Sequence, residues 1–200
     1  MSMKHNLPLI SLLATGFALS SPVSAQELQA AESTEEATDD DAASLAALVD
    51  DWVIWQDDEA SYCAMSAAYI SDEVLTVTFD AKAGSSRLLF RSNESTSLED
   101  GRSLKLNVFM KSDNGSHSGE GWDGVTFSVN VAEGGQRGFI SERLDKEILN
   151  DVARYNDVGF FTGETLVESF NLEGSAKAVA ALRACAFEVA GLNPDDPFLK

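Results

Sequence analysis

Val125-Thr126-Phe127-Ser128-Val129-Asn130-Val131 decides the fold class, because its apolar side chains fall at every second position with Thr126, Ser128 and Asn130 between them. Successive side chains of a strand point to opposite faces, so this period means one buried face and one wet face. Antiparallel sheets carry that pattern, whereas parallel strands covered on both sides read as continuous apolar runs. The same alternation occurs upstream, where Leu104, Leu106, Val108 and Met110 are interleaved with Lys105, Asn107 and Phe109. Residues 52–56, 61–69, 74–79 and 86–91 read as further strands, and so do residues 165–172. Gly134-Gly135 supplies a turn into Gly138-Phe139-Ile140, since glycine accepts the positive φ that tight hairpins need.

Two stretches change to a helical period. Ser141 stands where it could cap a helix over 142–155, in which Leu144, Ile148, Val152 and Tyr155 share a face. In the second, Ser175 to Ala190, one arc gathers Ser175, Ala178, Val179, Leu182, Cys185, Ala186 and Val189, and Gly191 suits its C-terminus. Residues 43–49 read as a short helix leading into the domain. The expected fold is therefore α+β with β dominant. It is an antiparallel β-sandwich or curled sheet of about seven strands with two helices, the C-terminal helix packed on the sheet.

The N-terminus has the three parts of a secretory signal: Lys4, an apolar stretch over 7–19, and Val23-Ser24-Ala25 before an expected cut at Gln26. No later segment approaches the ~18 apolar residues of a membrane span. Residues 26–45 are rich in Ala, Glu, Asp, Ser and Thr and read as an acidic disordered tether. Residues 46–200 then form a single domain, long enough for a sizeable core. Cys63 and Cys185 are the only cysteines. In an exported protein they form a disulfide, closing a loop of about 120 residues. The expected location is periplasmic or secreted.

The formal net charge is −19. Removing residues 1–25 takes away Lys4 and no acid, and residues 26–51 hold nine acids and no base. Such a field repels nucleic acid, excluding it as a partner, and attracts cationic proteins or metal ions.

Chemistry is sparse. A Ser-His-Asp site would have to use His117 with Ser116 or Ser118, in a Gly- and Ser-rich loop poorly suited to holding a catalytic histidine. Gly119-x-Gly121-x-x-Gly124 matches a dinucleotide fingerprint in spelling but leads into a strand, where the fingerprint must open a helix. Asp113, Asn114, Glu120 and Asp123 are calcium candidates by residue type, although their spacing matches no EF-hand loop. The carboxylates Asp57, Asp58, Glu59, Asp72 and Glu73 single out no glycosidase pair. Trp52, Trp55, Tyr62 and Trp122 form the candidate ligand surface. Trp52 and Trp55, three apart in a strand, point to opposite faces. No catalytic residue, metal or cofactor is assigned.

The run Glu168-Ser169-Phe170-Asn171-Leu172-Glu173-Gly174-Ser175, continued by Ala178, Ala181, Leu182 and Cys185, resembles the ending of a group of small exported proteins of Gram-negative bacteria. In broad style the chain is similar to the invasion-associated locus B proteins. That resemblance implies export, a β-rich fold and a disulfide, and it brings no catalytic residues. The expected function is a non-catalytic exported binding or envelope-associated module. The alternatives are an inhibitor of a cationic protein such as a lysozyme and, less favoured, a hydrolase.

Overall fold

The computed structural model describes residues 44–57, 62–70, 72–92, 98–112, 120–131 and 136–193. The signal-like segment, most of the acidic stretch, His117, the Gly134-Gly135 turn and the C-terminal tail lie outside the described residues. The strands in chain order are β1 (Ser44–Val49), β2 (Trp52–Asp57), β3 (Tyr62–Ala68), β4 (Val74–Asp80), β5 (Ser85–Ser92), β6 (Ser103–Lys111) and β7 (Glu120–Val131). They continue with β8 (Arg137–Ser141), β9 (Leu144–Asp145), β10 (Asp157–Thr162) and β11 (Thr165–Asn171), and the helices are α1 (Ile148–Arg154) and α2 (Ser175–Ala190).

These strands make one antiparallel sheet of 11 strands in the order β1-β2-β3-β4-β5-β8-β7-β6-β10-β11, with β9 paired to β5. This corrects the expectation of about seven strands. Three strands account for most of the difference. Residues 43–49, expected to be helical, contribute β1, because pairing with β2 and burial of Ala47 and Val49 against the core outweigh the helix preference of an Ala-rich run. β10 contains Gly159, a weak strand former, which is screened by Phe161: a Cβ at that position would meet the Phe161 ring at 2.7 Å. β9 is two residues long and carries no period.

The helix expected over 142–155 is shorter, starting at Ile148. Ser141 does not cap it; its hydroxyl accepts from the Leu88 N–H at 2.9 Å and donates to the Glu142 carbonyl at 2.8 Å, which keeps it in β8. Leu144 is buried and pairs with Ser86, so this part of the apolar stripe belongs to the sheet. The last helix covers Ser175–Ala190, the range its periodicity predicts, and ends on Gly191 in the left-handed region.

Alternate residues of every long strand point inward to one core. Five phenylalanines fill its centre: Phe90 stacks on Phe139 at 4.4 Å and meets Phe160 at 4.2 Å, with Phe127 and Phe170 at 5.8 and 6.0 Å. These rings come from β5, β8, β10, β7 and β11, so the sheet curls around them without closing. α2 covers the inner face of β2, β3 and β4. There the Cys63–Cys185 disulfide bridges β3 to the helix, with Cα atoms 6.1 Å apart.

The link from β11 to α2 is pinned from several sides. The Trp52 indole N–H donates to the Glu173 carbonyl at 2.9 Å, the Tyr69 hydroxyl to the Asn171 carbonyl at 2.6 Å, and the Ser175 hydroxyl to the Val152 carbonyl at 2.6 Å. Gly174 is required here: its φ is +79°, and a Cβ would lie 3.2 Å from the Asp50 side chain. Among the described residues, no helix is long and apolar enough to cross a membrane.

Candidate functional site

The candidate ligand surface divides. Trp52 is 1% exposed and sits in the core, its indole N–H taken by Glu173. Trp122 packs partly buried against the core and donates to the Asp151 carboxylate at 2.8 Å, near α1. Trp55 and Tyr62 remain together on the outer face, their rings meeting edge to face at 6.2 Å. Trp55 leans across β3: its indole N–H donates to the Ser66 hydroxyl at 3.0 Å, and Ser66 shares a 2.8 Å hydrogen bond with Thr76 on β4. The indole is thus held by a short polar chain instead of standing free of the sheet.

The strand register explains what surrounds these rings. Ser66 is opposite Thr76, Thr76 opposite Leu89, and Leu89 opposite Ile140, so one outward row runs across β3, β4, β5 and β8. Its members are half-buried. On β5 this outward row is flanked by Arg87 and Arg91, two residues to either side of Leu89 on the same face. Small residues beside the row, Ala64 and Gly138, leave it sunken.

Two hollows follow. One of about 380 Å³ is bounded by Trp55, Thr76, Leu89, Arg91, Gly138 and Ile140. The other, about 360 Å³, is bounded by Tyr62, Thr78, Asp80, Arg87, Ile140 and Arg143. Both include Leu89 and Ile140, so together they form one open trough. Among the described residues, Arg87, Arg91 and Arg143 make no hydrogen bond or ion pair with a carboxylate. Among the described residues, Asp80 is the only acid bounding the trough, and its Oδ1 accepts the Ala83 N–H at 2.9 Å.

A larger hollow of about 530 Å³ lies between the β1–β2 and β3–β4 turns, bounded by Leu48, Asp50, Asp51, Tyr69, Ile70 and Glu173. Two of its polar side chains are already engaged. Asp50 pairs with Lys177 at 3.1 Å, and the Tyr69 hydroxyl is bound to Asn171. Burial raises the Tyr69 phenol well above the ordinary tyrosine range, so it stays a donor.

Burial also raises the Tyr62 phenol above its ordinary value of 10.0, and the hydrogen bond to Asp57 and that carboxylate's charge push the same way. The charge of Arg87 pulls it back. A raised folded value contributes stability below the unfolded pKa that is lost as pH rises through the folded one. Asp57→Asn is accordingly expected to lower the Tyr62 midpoint. Difference absorbance titration of the phenolate against the parent protein checks this, and an unchanged or higher midpoint would contradict the pairing.

The remaining candidates form no centre. Asp113, Asn114, Ser116, His117, Ser118 and Gly119 lie outside the described residues, as do Asp58, Glu59 and the side chain of Glu120. Asp123 is exposed on β7. Gly121 and Gly124 belong to the same strand, paired with β6, and open no helix. Asp72 sits in the β3–β4 turn with φ 62°. No group of three or more His, Cys, Asp or Glu among the described residues is arranged to hold a metal. The chain matches no protein-family model, and no curated protein or solved structure matches it.

The arginines of the trough were not picked out by sequence reasoning. Their signal is faint but present: Arg87 and Arg91 occupy the wet positions of a strand whose other outward members are Ser85 and Leu89, in a chain with 14 bases against 33 acids.

Proposed function

We propose that this protein is an exported, non-catalytic binding module that holds its ligand across the outer face of the sheet, in the trough between Trp55 and Ile140. The observation that carries this reading is a partly exposed aromatic pair fixed on a rigid sheet beside a mixed apolar and polar hollow, the usual make-up of a recognition site. The cysteine pair and the signal-like N-terminus support export, and the likeness of residues 168–185 to the endings of small exported proteins of Gram-negative bacteria supports the same. The alternative, an inhibitor of a cationic protein such as a lysozyme, draws on the net charge of −19. The trough, bordered by three arginines, does not favour a basic occupant.

The test blocks the trough without disturbing the core. A Cβ on Gly138 meets nothing closer than the Asn130 carbonyl at 3.5 Å, so Gly138→Leu fits the strand and fills the hollow. On an array of printed glycans and envelope lipids, spots retained by the parent protein are expected to be lost with Gly138→Leu. Trp55→Ala is expected to cost about 2 kcal/mol of binding, roughly thirtyfold. Retention of the same spots by both variants would place the ligand elsewhere.

A further inference from the structure

We infer that the occupant of the trough is a carboxylate-bearing glycan, bound as an extended run of sugars whose acid groups lie against Arg87, Arg91 and Arg143; this rests on the outer-face reading above. Three observations converge. The first is charge placement. In a chain of net charge −19, three arginines border one trough and none is ion-paired among the described residues. An acidic protein gains no solubility from grouping its few bases on one face, whereas a guanidinium offers a planar fork that matches a carboxylate.

The second is shape. Arg87 and Arg91 are four residues apart on β5, about 13 Å along an extended strand. That spacing suits several linked sugars better than one small molecule. The two hollows adjoin at Leu89 and Ile140, and both are partly open.

The third is the chemistry of the floor and walls. The Trp55 indole, tied down by Ser66, offers a flat surface to the C–H face of a pyranose. Thr76, Thr78 and Asn130 add hydroxyl and amide groups along the same trough for sugar hydroxyls.

Other polyanions and apolar ligands fit less well. A peptide strand draws its affinity from backbone pairing at a sheet edge, and this trough lies in the middle of the sheet. An acyl chain asks for an enclosed apolar cavity. A double-stranded nucleic acid carries a charge about every 1.7 Å, several times denser than one carboxylate per sugar, and three arginines would not offset that against a net charge of −19.

The experiment titrates the full chain by calorimetry with oligomers of galacturonate, alginate and hyaluronate, each paired with its methyl ester, and with polyglutamate as an acidic peptide. At least one acid glycan is expected to bind, about tenfold tighter than its ester and more weakly as salt is raised. Arg87→Gln and Arg91→Gln are each expected to weaken the acid form about threefold and to weaken the ester by less than that. Equal binding of acid and ester would overturn the charge assignment while leaving the trough as a glycan site. Binding that Gly138→Leu does not diminish, or no binding of any glycan, would overturn both. Tighter binding of polyglutamate, lost in the same arginine variants, would make the occupant a peptide and overturn the proposal.

Discussion

Cys63→Ala combined with Cys185→Ala is expected to lower the unfolding free energy by about 4–5 kcal/mol, the largest loss of any change considered for this fold. The bridge spans a sequence separation of 122 residues, so cutting it restores a great deal of freedom to the unfolded chain. Alanine avoids leaving a serine hydroxyl at position 63, which is fully buried. Because domains of this size are stable by only about 5–15 kcal/mol, the variant should sit close to the edge of folding. Urea unfolding of the parent protein and the variant checks this. The denaturant slope should rise in the variant, since its denatured state exposes more surface once the cross-link is gone. A loss below about 1 kcal/mol would mean that β3 and α2 hold together without the bridge and that the denatured chain is already compact.

Phe90→Ala should cost about 3–5 kcal/mol, the second large effect. Phe90 is 2% exposed and is the ring on which four others converge, from β7, β8, β10 and β11. Removing it opens a cavity that cannot collapse, because the neighbouring rings are held by separate strands of a curled sheet. The effect should reach the trough as well, since Phe90 underlies the hollow beside Trp55. Thermal melts and glycan titrations of the variant therefore test stability and site support together. Phe109→Ala is the control: that ring is 38% exposed and its loss should cost under about 1 kcal/mol. Similar losses for the two variants would contradict the account of a single aromatic centre.

Much of this fold is legible where the period is clean. Val125 to Val131 and Leu104 to Met110 announce their inward faces, and the stripe of α2 predicts its span and the burial of its small residues. What escaped reading has local causes. β1 is spelled in residues that favour helix, and its partner strand decides otherwise. β10 hides behind Gly159, whose backbone is covered by Phe161, a pairing visible only once the register is known. Leu144 and Ile148 share a helical spacing although one lies in a strand and the other opens a helix.

The site was legible only in part. Trp55 and Tyr62 stand out in the sequence as aromatics, and their separation from Trp52 follows from the two-residue period. The arginines needed the register of four strands, since nothing in the local sequence of β5 reveals that Leu89 lies opposite Ile140. Sequence period tells which side of a strand a residue faces, and strand pairing tells which neighbours it meets there.

Four ties run between the beginning of the domain and its end: Asp50 with Lys177, Trp52 with Glu173, Cys63 with Cys185, and Tyr69 with Asn171. A chain delivered N-terminus first, from a ribosome or across a membrane, can pair its opening strands but cannot complete their inner-face packing until its final helix arrives. Ile54, Met65 and Val77 are without their helical cover for the whole of that delay. Within the chain the first thiol has no partner until Cys185 emerges, and two cysteines allow only one intramolecular pairing. Oxidation thus serves as a receipt that the entire domain has been delivered.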